Sequence, residues 1–232
     1  MSIIVFIIGT IFVLVKWIFT PKGKTGTYLG FPYLFTYPGQ NTRLDALKNI
    51  LKRIFFFSSL RYDKGTRVAS MVFHYSLWII LLAHFDLFIE PYLVSHGISF
   101  STIALISDLL GNGFAILLIL SGLYLLYRRI ENVYLRYIST PGDYFSIILI
   151  LLFGFTGLLM RFILPVTYAY NSVGPFISSL FSFSPIEIPT APIFLIHFTL
   201  ACTLVLYVPF SKFMHPFSFF TNPTLYSIYH ER

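Results

Sequence analysis

The chain has 232 residues, of which 56% are hydrophobic and 11% charged, with a formal net charge of +7. A soluble domain carries about 25% charged residues, and here the charges fall between long apolar runs, so the composition excludes a soluble globular protein and points to helices in a membrane. One cysteine, Cys202, excludes an intrachain disulfide and a thiolate-held iron–sulfur cluster.

The first apolar run, from about Ile3 to Phe19, is followed rather than preceded by basic residues and lacks a small-residue cleavage site. It reads as a retained signal-anchor span, residues 1–19, ended by Pro21 and Gly23. Residues 20–67 form the longest polar connection, with nine Lys or Arg against Asp45 and Asp63. Its first half, rich in Gly, Pro and Tyr, reads as irregular loop. Its second half, from Thr42, places apolar residues at helical spacing with basic residues between them, as an interfacial amphipathic helix does.

The second span is expected over about Val68 to Ile89. It carries His74 and His84, and a short loop beginning at Glu90 and Pro91 and containing His96 follows it. A third span, about Thr102 to Tyr127, leads into a basic loop with Arg128, Arg129 and Arg136. Thr140-Pro141-Gly142-Asp143 offers turn and capping chemistry before a fourth span at about Tyr144 to Leu164. A loop from Pro165 to Pro189, without Lys or Arg, precedes the fifth span, about Pro192 to Met214. That span carries His197, ends beside His215, and contains Pro209, where a kink is expected. Residues 216–232 form a tail.

The fold expected is therefore an all-α integral membrane protein of five transmembrane helices, with the four spans of residues 68–215 forming a bundle. Basic first and third loops put the N-terminus outside and the C-terminus in the cytoplasm of a multi-pass cell-membrane protein. The basic charge follows this loop bias. No nucleic-acid-binding motif accompanies it, and nucleic acid is not expected as a partner.

Four of the six histidines sit within or at the ends of apolar runs, where a polar ring is costly unless it bonds or ligates something. Spans two and five run in opposite directions, so depth pairs His84 with His197 towards the outside and His74 with His215 towards the cytoplasm. At about 1.5 Å per residue His74 and His84 differ by roughly 15 Å in height, and His197 and His215 by roughly 27 Å. Tilt and distortion at Pro209 must absorb the difference. Zinc would need three or four protein ligands at one site. Two histidines bridging antiparallel helices suit the axial positions of a haem iron, and two such pairs suit two b haems.

This pattern resembles the gamma subunit, a membrane di-haem cytochrome b, of respiratory nitrate reductases. That family has five spans, with axial histidines ten residues apart on the second and eighteen apart on the last. Local text agrees at Asp63-Lys64-Gly65, Phe73-His74, Pro91, Leu126-Tyr127-Arg128-Arg129, Gly142-Asp143 and Pro209-Phe210-Ser211-Lys212 before His215, over roughly residues 60–220. The resemblance implies a subunit that oxidises quinol, such as menaquinol, from the quinone pool near the outer surface. Electrons would pass through the haem of His84 and His197, then that of His74 and His215, to an iron–sulfur subunit and a molybdenum catalytic subunit. The family's quinol-site lysine has no counterpart, its ungapped position falling near Ala104, and the first cytoplasmic loop is longer than in the family.

Polar groups near the outer end complete the candidate site. Asp86, Glu90, His96 and Asp108 are expected at the outward ends of spans two and three, with Asp86 and Asp108 the candidate quinol or proton groups. Arg161 is expected near an outer haem propionate, and Arg67 and Lys212 near the inner one, unless they reach for lipid headgroups. A cytochrome b anchor for a sulfur-compound or heterodisulfide-type complex fits the same residues. A cofactor-free transporter or structural anchor is the alternative of a different class.

Overall fold

A computed structural model describes residues 2–19 and 43–216; the first half of the long basic loop and the tail with His230 lie outside the described residues. Every regular element among the described residues is helical. Among the described residues, four helices are long and apolar enough to cross a membrane: Lys64–Ala83, Phe100–Glu131, Pro141–Ile163 and Pro192–Phe210. The expected first span is the helix α1 (Ser2–Phe19), whose apolar stretch Ser2–Trp17 is shorter than these. The chain divides into two compact units, one of residues 1–67 and 202–232 and the other of residues 68–201.

In the first unit, α1 packs on the turn Val208–Phe210. Gly9 makes the approach possible, since a Cβ there would stand 2.8 Å from the Pro209 ring. The expected amphipathic helix is present as α2 (Arg43–Phe56). Phe57, in the left-handed region at φ 48°, ends it. Asp63 then opens α3 (Lys64–Ala83): its carboxylate accepts from the Thr66 amide at 3.0 Å and the Thr66 hydroxyl at 2.8 Å, satisfying a donor that the first turn leaves unpaired. Arg67 reaches back to donate to the Phe56 carbonyl at 2.9 Å, tying α3 to the end of α2.

In the second unit, the apolar run of His74 and His84 is not one helix. The His84 amide still donates to the Ile80 carbonyl, but the Phe85 amide tightens onto Leu82, and a new helix, α4 (Asp86–Ser95), starts with an acidic first turn. The loop expected after Glu90 is therefore helical through Pro91. Proline has no amide to offer the Leu87 carbonyl, and that oxygen instead faces Gly174, where a Cβ would stand 3.3 Å from it.

Ser99 caps α5 (Phe100–Glu131) by accepting from the Thr102 amide at 3.2 Å. At about 1.5 Å per residue α5 is about 48 Å long, more than the hydrocarbon layer of about 30 Å, so part of it extends beyond that layer. Asn132 caps the short α6 (Val133–Ile138), and the Thr140–Asp143 box opens α7 (Pro141–Ile163). Asp143 accepts from the Thr140 amide at 2.9 Å and hydroxyl at 3.0 Å, and Arg129 lies 3.6 Å away.

The pairing of α5 with α7 forms the main core, with Leu118, Leu149 and Ile150 almost fully enclosed. Small residues bring the two helices together. A Cβ on Gly154 would press on Leu118 at 3.1 Å, and one on Gly122 on Leu151 at 2.8 Å. Large side chains such as Leu109, Leu120 and Phe162 point outward, as helices packed in lipid allow.

The region expected as a loop from Pro165 is also largely helical. α8 (Val166–Tyr168) runs through a π-helical turn, Ala169–Val173, into α9 (Gly174–Phe181). Val173 and Phe176 there pack with Phe194 of α10 (Pro192–Tyr207) in a second small core. The fifth span stops being α-helical at Tyr207 instead of reaching Met214. Val208–Phe210 and Lys212–Met214 are single 3-10 turns separated by extended Ser211. This is the distortion expected from Pro209, and it means that His197 and His215 are not eighteen residues apart on one straight helix.

Candidate functional site

His84, immediately after the last residue of α3, and His197, on the second turn of α10, come together. Their ring planes are parallel within 1° and their centroids are 6.4 Å apart. Two imidazoles on opposite sides of one metal, each nitrogen about 2.0 Å from it, have ring centres about 6.3 Å apart. The spacing and parallel setting fit axial ligation of a haem iron. Among the described residues no three His, Cys, Asp or Glu side chains converge as a metal cluster.

The second nitrogen of each expected ligand is held. His84 Nδ1 lies 2.6 Å from the Ile80 carbonyl, His74 Nδ1 2.8 Å from that of Ser70, and His215 Nδ1 2.8 Å from that of Lys212. A ligating histidine usually donates its other N–H in this way. His96 makes the same bond to Tyr92 at 2.9 Å at the end of α4, so the bond alone does not mark a ligand; what sets His84 and His197 apart is their 6.4 Å pairing.

His197 differs from the other three. Its Nδ1 meets Thr156 Oγ1 of α7 at 2.9 Å. Phe153 stacks on the ring at a centroid distance of 4.2 Å, and Gly157 clears space for it, since a Cβ there would be 3.1 Å from His197 Cε1. Phe153, Thr156 and Gly157 follow one another at helical spacing and form one face of α7. Nothing in the sequence linked that face to His197, because hydroxyls and aromatic rings in an apolar run carry no pairing signal.

A cavity of about 310 Å³ opens beside the two histidines, lined by Gly111, Gly154 and Gly157 among mostly apolar neighbours. Its polar end is a bonded chain drawn from α4, α5, α7 and the π-helical turn. Arg161 donates to Asp108 at 2.8 Å and to Ser107 at 3.3 Å. Ser107 in turn donates to Asp86 Oδ2 at 2.5 Å, and the Tyr170 hydroxyl donates to the same oxygen at 3.1 Å. Gly111 makes room for the Arg161 guanidinium, which lies where its Cβ would be. Burial pushes the Tyr170 phenol up to about 12, so it stays a donor at neutral pH.

Of the four outer polar residues expected, Asp86 and Asp108 thus meet through Ser107 and Arg161. Glu90 and His96 lie on α4 and at its end, and are not members of the chain. Sequence reasoning missed Ser107 and Tyr170. Arg161 finds its partners within the protein, while Arg67 bonds the Phe56 carbonyl and Lys212 is exposed on its 3-10 turn.

The model of the nitrate reductase gamma subunit family matches residues 56–230. The chain belongs to that family. It is 31% identical to the Hdr-like menaquinol oxidoreductase cytochrome b-like subunit of Archaeoglobus fulgidus, in an alignment covering 96% of this chain and 76% of that protein. The protein of the same description from Archaeoglobus profundus is 32% identical, with 67% of this chain and 48% of that protein covered. The family match takes in all four histidines and the local text quoted above from Asp63 to His215.

Proposed function

We propose that this chain is the cytochrome b anchor of a quinol-oxidising complex in the cell membrane. It binds two b haems, one between His84 and His197 and the other between His74 and His215. The observation that carries the reading is the parallel His84–His197 pair at 6.4 Å. The second pair rests on helix depth and the family's histidine spacing. Bound haem would supply the one-electron chemistry.

The protein's own residues orient and bind. The backbone carbonyls of Ile80, Ser70 and Lys212 aim three of the imidazoles. Asp86, set by Ser107 and Tyr170, is the carboxylate offered to a quinol hydroxyl, and Asp108 anchors Arg161 beside it. Arg161 serves this polar chain before any propionate, while Arg67 and Lys212 keep the propionate role at the other haem.

The relatives' description as Hdr-like menaquinol oxidoreductase subunits favours menaquinol as the donor. It also favours a heterodisulfide-type partner carrying iron–sulfur clusters over a nitrate-reducing molybdenum subunit. A reduced-minus-oxidised optical spectrum of the purified chain tests the reading. Two low-spin b haems reducible by menaquinol are expected; a colourless preparation leaves a transporter or a bare anchor.

A further inference from the structure

Three of the four histidines are oriented by a carbonyl three or four residues earlier in their own segment, a bond that forms wherever the helix forms. His197 is oriented by a residue 41 positions away. The direction of that bond can be deduced. Thr156 has one hydroxyl proton, and its Oγ1 lies 2.9 Å from the Leu152 carbonyl and 3.1 Å from that of Phe153, both of which can only accept. With the proton directed there, the back-bonding usual for threonine inside an apolar helix, Oγ1 faces His197 Nδ1 as an acceptor. Nδ1 must then carry the hydrogen, and Nε2 keeps its lone pair.

We propose that Thr156 is a positioning residue that fixes the tautomer of His197 and so presents Nε2 to the haem shared with His84. The inference rests on the functional reading above. It gives α7, which has no histidine, a direct hold on that site. The surroundings match the role: Thr156 is buried, Phe153 stacks on the ring, and Gly157 leaves the ring no Cβ to lean against. His197 is therefore restrained in rotation and in protonation by consecutive turns of one helix.

The test compares T156V and T156S with H197A in the full chain, purified with its haems. The readouts are haem content, low-spin electron paramagnetic resonance and the midpoint potential of each haem. T156V keeps the shape of the side chain without the acceptor. It is expected to leave one haem untouched, while the other loses about 10- to 100-fold in affinity, the usual effect of removing a ligand's hydrogen-bond partner, with a shifted potential. T156S is expected to restore both. If T156V does not accumulate, T156A is read the same way.

Two results overturn the proposal alone: H197A loses one haem while T156V matches the wild type in every readout, or T156S is as impaired as T156V. H197A retaining both haems removes His197 as a ligand, and the functional reading falls with the proposal.

Discussion

The rings of His84 and His197 lie parallel within 1° with their centroids 6.4 Å apart, although the two residues are 113 positions apart in the chain. The two rings are held in different ways. His84 sits where α3 is ending and takes its direction from Ile80, while His197 takes its direction from α7. The relationship can be tested by perturbing either ring or the space around it.

Removing the His84 ring should remove one haem and leave the other. His84→Ala is expected to halve the b-type absorbance of the purified protein, with His74→Ala doing the same at the other site. Retention of the full absorbance in His84→Ala would remove it as a ligand.

Space behind His197 matters as much as the bond in front of it. Gly157→Val adds atoms where a Cβ alone would already be 3.1 Å from Cε1, and the ring must turn to escape. The haem shared with His84 should lose its low-spin spectrum while the second haem keeps its own. An unchanged spectrum would mean that the helices shift instead.

Asp86 offers a chemical test separate from haem binding. Asp86→Asn keeps the shape of the side chain but removes the base, and general base catalysis is worth roughly 10²-fold or more. Menaquinol-driven haem reduction should slow by about that factor, while reduction by dithionite stays at the wild-type rate. Equal slowing with both reductants would point to damage at the haem instead of the quinol side.

The cap of α7 is a matter of stability. Asp143 is buried and accepts two bonds from Thr140, with Arg129 3.6 Å away. Asp143→Ala should cost about 1–2 kcal/mol, read as a lower melting temperature in detergent with the haem spectrum intact.

The sequence made legible whatever depends on local chemistry. Long apolar runs predicted five spans, of which the second to fifth correspond to the four helices long enough to cross a membrane, Thr140–Asp143 stood where a helix start needs an acceptor, and Pro209 marked the end of regular helix in α10. The break at His84–Phe85 was hidden, because the run MVFHYSLWIILLAHFDLF has no Gly or Pro to signal it. α4 was misread for the opposite reason: Pro91 suggested a stop, yet the helix continues past it with the Leu87 carbonyl turned to Gly174. The polar chain was half visible. Asp86 and Asp108 stand out in apolar text, but Ser107 and Tyr170, which join and aim them, are ordinary residues whose partners are set by packing over long separations.

The different anchoring of the histidines also has a consequence for how the protein is made. A chain inserted from its N-terminus delivers α3 with both of its imidazoles already turned by their own helix. The imidazole of α10 is turned only once that helix has met Thr156. On the proposed reading, the site shared by His84 and His197 therefore becomes competent for haem only once α10 has docked on α7, and its loading reports that contact.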